Sequence, residues 1–335
     1  MITVNGDWFA LETANTGYYL GVRGGLVENL HYGARVRVEN SVPLREKTDI
    51  GYGSDVVYRA ESAPLSLEHL CLELSPLQKG DYRAQSLSLV MPGGARTADF
   101  PLYAPAGGGK CPAGGHACGP GRSRDAGAGL FHAGGRGCHV VLYRVPGLRR
   151  HHAAPLYKKR RRRACHAGKG AQLSAGPARL RLCALHISGR VARERHEACV
   201  PLTSRSACVR QHTGASSAFC NPFFMLCAPD ATEFNGDAYG FNLVYSGSHM
   251  GCVEVSPWGK TRVAAGIQPE GFAWTLAPGE RFETPEAVLT FSRAGKNGMS
   301  ANLHAFVQEH IVRGKWAKKR PSRAAEQLGG HLFRF

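Results

Sequence analysis

Long apolar runs are missing from this sequence. None of its 335 residues lie in an apolar run of about 18 residues, the length that a membrane-spanning helix needs. The first residues, MITVNGDWFALETANTG, have neither a basic start nor an apolar core, so they predict no secretory signal. The 11 cysteines form no C-x-x-C pair and no complete Cys/His zinc spacing. We therefore expect a cytoplasmic protein with reduced thiols, no metal or other cofactor, and no membrane partner.

Acidic residues are scarce in the middle third of the chain. Residues 101–200 carry 19 Lys and Arg against 3 Asp and Glu, which accounts for +16 of the formal net charge of +17. The run Lys158–Arg163 is typical of a nuclear-localisation or RNA-binding patch. No aromatic residues for base stacking are interleaved with it, and no nucleic-acid-binding module surrounds it. Nucleic acid is therefore not a predicted partner, and an RNA binder is kept only as an alternative hypothesis.

Both ends of the chain have the pattern of β-structure. Apolar, β-branched or aromatic segments alternate with glycine-containing turn signals, which favours a sandwich or barrel. The predicted strands include Trp8–Thr13, Tyr18–Val22, Val36–Val38, Gly240–Ser246, Gly251–Ser256 and Ala287–Phe291. From Met299 the apolar residues recur at helical spacing, which predicts a helix over 299–316 with Gly314 as its stop.

The segment 104–183 lacks this periodicity. Gly, Ala, Arg, Cys and His dominate it, which predicts irregular chain or a disordered basic insert.

Six long strings outside that segment carry a family resemblance. They read KGDYRAQ, GASSAFCNPF, YGFNLVYSG, VEVSPWGKTRV, GIQPEGFAWTLAPGERFETPEAV and MSANLHAFVQEHIVRGKW. In this order they resemble the N-terminal region of glycoside hydrolase family 36, the α-galactosidases. The resemblance covers about residues 1–103 and 184–321.

The resemblance implies a mostly β fold. In the family a large antiparallel β-supersandwich ends in a linking helix, and a catalytic (β/α)8 barrel follows. Carried over, it implies a sandwich domain over 1–298, the linking helix over 299–316, and the start of a barrel domain over 317–335, with the barrel itself absent. Family members hydrolyse terminal α-galactosides such as melibiose and raffinose with retention, and often form homotetramers.

The composition of the middle segment has two open explanations. Short segments that resemble the family sequence, including VVLYRV, PLYK and ARERH, lie inside or beside it. One explanation is compensating frame shifts in a GC-rich gene, because out-of-frame reading enriches Arg, Gly, Ala, Cys and His. The other is a genuine divergent insert.

No catalytic residue is assigned to this chain. Retention requires two carboxylates about 5–5.5 Å apart, and the family places both on the barrel. The resemblance does transfer two sugar-binding positions. Asp49 corresponds to a loop Asp that accepts hydrogen bonds from galactose hydroxyls, with capping of its own turn as the alternative. Val191 stands where the family has a Trp, and it offers no flat face to a sugar ring.

Other candidates are weaker. Trp258 and Trp274 are sugar platforms or, more simply, packing residues, and His31, His249 and His304 lack partners at catalytic or metal spacing. The leading hypothesis is a fragment of an α-galactosidase that is inactive alone. The rival hypothesis is a non-catalytic carbohydrate-binding or oligomerisation module.

Overall fold

The computed structural model describes most of both ends of the chain and short parts of its middle. The described residues are 2–45, 56–58, 65–73, 75, 80–90, 102–109, 128–133, 138–144, 150–158, 165–167, 182–190, 192–203, 206–257, 259–276 and 281–314.

Antiparallel strands make up nearly all of the regular structure in these ranges. In chain order they are β1 Ile2–Asn5, β2 Trp8–Glu12, β3 Thr16–Arg23, β4 Leu26–Ala34, β5 Leu89–Val90, β6 Leu102–Gly109, β7 Ala128–Ala133, β8 Cys138–Arg144, β9 Arg150–Lys158, β10 Cys165–Ala167, β11 Cys183–Arg190, β12 Arg193–Pro201, β13 Ser206–Arg210, β14 Cys220–Cys227, β15 Ala238–Val244, β16 His249–Val255, β17 Thr261–Ile267, β18 Trp274–Leu276, β19 Arg281–Glu283 and β20 Glu286–Ser292. Short 3-10 turns cover Val42–Leu44 and Leu67–His69. One α-helix, α1, spans Gly295–Phe306 and continues into a π-helical turn, Val307–Ile311. The predicted class, a mostly β fold that ends in a helix, is confirmed, and the described residues contain no (β/α)8 barrel.

The strands form four sheets in the described part of the chain. The largest has ten strands in the order β12-β11-β14-β15-β20-β9-β8-β7-β6, with β19 added on β9. The others are β1-β2-β3-β4, β13-β16-β17 and β18-β10-β5. One apolar core joins the first three sheets, because Phe9 and Tyr18 of the four-stranded sheet pack in the same cluster as Phe241 of the ten-stranded sheet and Val263 of β17. This layered packing is the arrangement of a β-sandwich.

The helix begins earlier than the sequence indicates. It starts at Gly295 instead of residue 299, and its helical turns end at Ile311. Gly295 has φ 65°, and a Cβ there would lie 2.5 Å from the carbonyl oxygen of Thr232, so only glycine fits this entry. Met299 then packs against Gly240 of β15, which fixes the helix on the ten-stranded sheet. Among the described residues, no helix has the length and apolar character that crossing a bilayer requires.

The middle segment differs from its prediction. Where irregular chain was expected over 104–183, strands β7, β8, β9 and β10 and most of β6 are present. Strand pairing is made by backbone N–H and C=O groups, so it tolerates a composition that shows no alternation of apolar and polar residues. Of this stretch, the described residues are those strands and Leu182–Cys183.

A disulfide joins two neighbouring strands. Cys208 of β13 lies directly opposite Cys252 of β16, with their Cα atoms 4.1 Å apart. The expectation that every thiol is reduced is therefore not met for this pair. Direct opposition across an antiparallel pair places two side chains close enough to bond, and the sequence separation of 44 residues hides it.

A buried ionic cluster surrounds Asp81, whose carboxylate has no exposed area. Arg262 donates to Asp81 Oδ2 at 2.8 Å, Arg83 donates to Asp81 Oδ1 at 3.0 Å, and the Ser75 hydroxyl also donates to the carboxylate. Burial by itself would raise the pKa of Asp81, but the two guanidinium groups outweigh it and hold the pKa below its ordinary value. Asp81 therefore stays ionised and structural.

A second buried carboxyl group is less well compensated. Glu73 accepts hydrogen bonds from the Tyr18 hydroxyl at 2.6 Å and from Asn29 Nδ2 at 3.2 Å. Burial raises the pKa of Glu73 to about 7, and these two hydrogen bonds only partly oppose it. Glu73 therefore titrates near neutral pH.

Replacing Asp81 by Ala should destabilise the fold by about 3–5 kcal/mol, because Arg83 and Arg262 would remain buried without their shared counter-ion. Urea unfolding measures this change. The exposed pair Arg210–Glu270, 3.2 Å apart, is the control: Glu270→Ala should cost no more than about 1 kcal/mol. Equal losses for the two variants would contradict the structural role of Asp81.

Stability should fall as pH rises through about 7 because of Glu73. A carboxyl group whose folded pKa is raised stabilises the fold fully below its unfolded pKa, and this stabilisation is lost as pH rises through the folded value. The loss should reach about 3 kcal/mol at most, at about 1.4 kcal/mol per pKa unit. Urea midpoints at pH 5 and pH 8 measure it. Glu73→Gln should flatten the profile, and Glu39→Gln, at an exposed position, should leave it unchanged.

Candidate functional site

The first candidate, Asp49, lies outside the described residues. The nearest described residues on either side of it are Arg45 and Val56. The chain on both sides contacts residues of the four-stranded sheet or of its loops. Arg45 donates to the carbonyl oxygen of Val22 at 2.7 Å and forms an ion pair with Asp7 at 3.8 Å. On the other side Tyr58 is buried in a cluster with Leu26 of β4. The substrate role of Asp49 stays a prediction.

The second candidate, Val191, also lies outside the described residues. Its neighbours Arg190 and Arg193 are register partners at the end of the β11–β12 hairpin. Two non-glycine residues there occupy the left-handed region, Ala192 with φ 61° and Arg195 with φ 57°. Such conformations cost about 1–3 kcal/mol each and cluster at functional sites. The hairpin end is therefore a strained segment, held in place by the sheet behind it.

The described surface of this hairpin is polar and cationic. Arg190, Arg193, Arg195 and His196 are all exposed. Farther along β12, Glu197 accepts a 2.9 Å ion pair from Lys296 of α1, which joins the edge strand to the helix. Guanidinium groups donate several hydrogen bonds in fixed directions. The hairpin end can thus donate to hydroxyl or carboxylate oxygens of a ligand.

Buried carboxyl groups offer no glycosidase pair in the contacts that the structure describes. Asp81 is neutralised by two Arg side chains, and Glu73 is bound by Tyr18 and Asn29. Glu12 accepts from the Tyr19 hydroxyl at 2.8 Å and pairs with an Arg35 side chain at 3.1 Å. Each of these groups is engaged in holding the fold, so none has the position of a nucleophile or an acid/base.

The three candidate histidines have structural contacts. His31 Nε2 lies 2.9 Å from the carbonyl oxygen of Ala34, and burial lowers its pKa. His304 Nε2 lies 3.4 Å from the Ser300 hydroxyl within α1. His249 lies between the Gly247 carbonyl oxygen and the Cys220 sulfur. No group of three His, Cys, Asp or Glu suited to a metal ion occurs in the part of the chain that the structure describes.

Of the two candidate tryptophans, Trp258 lies outside the described residues. Trp274 is 48% exposed, and its ring packs against Phe282 at 5.4 Å between centroids. Phe272 contacts the same Phe282 ring at 5.8 Å. The Trp274 side chain is thus partly buried against Phe282 and partly exposed to solvent.

Sequence reasoning missed two thiol groups. Cys220 lies 3.8–3.9 Å from the Nε2 atoms of His186 and His249. Cys183, Cys199 and Cys227 lie on three neighbouring strands of the ten-stranded sheet. No spacing along the chain signals either group, because strand register brings their members together.

Comparison of the chain with known proteins finds the same family resemblance. Residues 177–277 match the Glycosyl hydrolase family 36 N-terminal domain. The chain is 41% identical over 138 residues to the alpha-galactosidase AgaA of Geobacillus stearothermophilus, which is 41% of this chain and 19% of that enzyme. It is 47% identical over 105 residues to alpha-galactosidase 2 of Hypocrea jecorina, 31% of this chain and 14% of that enzyme.

Solved structures share the fold. The α-galactosidase AgaB of Geobacillus stearothermophilus superposes with a TM-score of 0.87 at 24% identity, covering 96% of this chain and 45% of AgaB, and at that identity it shows the fold alone. A variant of AgaA in complex with raffinose gives a TM-score of 0.85 at 25% identity, covering 94% of this chain and 45% of that enzyme. The chain thus spans less than half of these enzymes.

The sheet architecture, the terminal helix and the sequence match point to the same domain. Residues 177–277 are therefore similar to the N-terminal domain of glycosyl hydrolase family 36, and the described sheets have the fold of the solved α-galactosidases.

Proposed function

We propose that this chain is the sandwich part of an α-galactosidase that hydrolyses terminal α-galactosides such as melibiose and raffinose with retention. One observation carries the proposal: residues 177–277 match the family 36 N-terminal domain, and stretches of 138 and 105 residues are 41% and 47% identical to named α-galactosidases. The fold likeness to AgaA variants in complex with raffinose and with stachyose supports the substrate class.

In this proposal the chain binds sugar but does not cleave it. Retaining hydrolysis needs two carboxyl groups about 5–5.5 Å apart, one acting as nucleophile and one as acid/base. The buried carboxyl groups Asp81, Glu73 and Glu12 hold the fold together instead. Catalysis would therefore belong to a barrel, which the described residues do not contain.

The sandwich would act on the sugar through two loops. Asp49, if ionised beside galactose, would accept hydrogen bonds from its hydroxyls. The β11–β12 hairpin would present position 191 to the ring, with the exposed Arg190 and Arg193 as donors at its sides. Cytoplasmic residence and a homotetramer, in which sandwich domains complete a neighbour's site, are further parts of the proposal.

A non-catalytic carbohydrate-binding or oligomerisation module is the second candidate. The half-exposed Trp274, supported by Phe282, favours it, because exposed aromatic faces are what sugar rings stack on. This module would bind sugar independently of Asp49.

The purified 335-residue chain should show no turnover of p-nitrophenyl α-galactoside above the uncatalysed rate. The reason is that the buried carboxyl groups of Asp81 and Glu73 are held by Arg262 and Tyr18 and take part in the fold. Release of p-nitrophenol measures turnover. Activity that survives repurification and is abolished by galactose-type inhibitors would contradict the proposed division of labour.

Galactose or raffinose should bind the chain weakly, with millimolar affinity of about 4 kcal/mol, and Asp49→Asn should weaken it several-fold. Val191→Trp should tighten binding about 2–10-fold, because a stacked aromatic face contributes about 0.5–1.5 kcal/mol. Isothermal titration with glucose as the non-cognate sugar measures both changes.

Matched controls separate the two candidate functions. Asp230→Asn makes the same change at an Asp that is exposed, and Val200→Trp places an equal ring on β12, at a position 51% exposed. Neither should alter galactose binding. Binding that depends on Trp274 and is indifferent to Asp49 would favour the non-catalytic module over the galactosidase sandwich.

A further inference from the structure

Three thiols meet on one face of the ten-stranded sheet. Cys183 of β11 is the register partner of Cys227 of β14, and Leu185 of β11 is the partner of Cys199 of β12. Paired residues of antiparallel strands point to the same side, and residues two apart on one strand do likewise. Cys183 therefore has Cys227 directly beside it and Cys199 on the diagonal.

Exposure differs across the three thiols. Cys199 is exposed, Cys183 is half-buried, and Cys227 is buried together with Leu185 and Met299 beneath α1. Solvent and small reagents thus reach the group from the β12 side. Burial raises the pKa of Cys227 to about 11, so this innermost thiol stays protonated at neutral pH.

The outer two thiols are close enough to influence each other. The pKa of Cys183 is raised, first by burial and then by the neighbouring Cys199 thiol. Cys199 is the exposed member of the pair, so it is the one that a small disulfide reaches first.

We propose that Cys183 and Cys199 are a redox-active thiol pair that closes to an intramolecular disulfide when it meets a small oxidised disulfide such as oxidised glutathione. The Cys199 thiolate attacks one sulfur of the small disulfide, which forms a mixed disulfide and releases one small thiol. Cys183 then gives up its proton and attacks the Cys199 sulfur, which releases the second small thiol. Two electrons and two protons pass from the cysteines to the small disulfide, so the exchange balances.

The position of β12 permits this closure. Diagonal partners in a sheet have Cα atoms about 7–8 Å apart, slightly more than the 4.4–6.8 Å that a disulfide spans. Among the described strands β12 is at the end of its sheet, so it can move toward β11 without breaking a second ladder. The bond would fix the base of the hairpin whose end includes position 191.

Disulfide mapping tests the proposal. The reduced full chain is incubated with oxidised glutathione, free thiols are alkylated, and peptides are identified by mass spectrometry. The expected result is a Cys183–Cys199 linked peptide, two hydrogens lighter than the two thiol peptides, with Cys71 and Cys227 alkylated. A lasting mixed disulfide on Cys199, or a Cys183–Cys227 link, would overturn the assignment.

Variants check the order of the two steps. Cys183→Ser should trap glutathione on Cys199, Cys199→Ser should prevent both the adduct and the link, and Cys71→Ser should leave the link unchanged. Loss of the link in Cys71→Ser would count against the proposed pair. Since the wild-type map is decisive by itself, the test survives if a variant fails to fold.

Discussion

Asp81 connects parts of the chain that are far apart in sequence. Its carboxylate binds Arg262 of β17, 181 residues away, and Arg83 beside it. Arg83 in turn donates to the carbonyl oxygens of Leu67 and Leu70, and Arg262 donates to that of Ala84 at 3.3 Å. These contacts attach the β13-β16-β17 sheet to the segment that contains Leu67 and Leu70. Both leucines pack with Leu26 of β4. Backbone carbonyls accept hydrogen bonds from Arg83 Nη2 and Arg262 Nη1, whereas Arg83 Nη1 and Arg262 Nε have no partner among the described residues, so the two buried cations are only partly compensated.

Local patterns in the sequence predicted most of the named strands and few long-range contacts, and the prediction of a strand over Val36–Val38 was wrong, because β4 ends at Ala34 and no strand follows there. The segments Gly240–Ser246, Gly251–Ser256 and Ala287–Phe291 correspond to β15, β16 and β20, shifted by a few residues. Alternation and turn signals are properties of neighbouring residues, so they are visible in one dimension. The Asp81–Arg262 pair and the Cys208–Cys252 disulfide depend on which strands become neighbours, and no periodicity encodes that choice.

The candidate site was reached by resemblance, and chemistry alone would not have found it. Asp49 is one of many loop carboxylates, and Val191 is notable only against a family string that has Trp there. Both remain predictions. The structure contributes the setting: a hairpin end with Ala192 and Arg195 in left-handed conformations, beside exposed arginines. In the middle segment the sequence misled in another way: its composition predicted no strands, and β7 to β10 form there.

Buried and exposed polar groups of the described residues differ in what they bind. Inside, Asp81, Glu73 and Glu12 accept several hydrogen bonds or ion pairs each, and substrate cannot reach them. Outside, the hairpin end keeps Arg190 and Arg193 in solvent and bears backbone strain of about 1–3 kcal/mol per left-handed residue. That strain persists only if the sheet beneath it is stable, because a loosely held hairpin would relax to ordinary backbone angles. The hairpin end therefore keeps its shape only as far as β11 stays paired with β12 on one side and with β14 on the other.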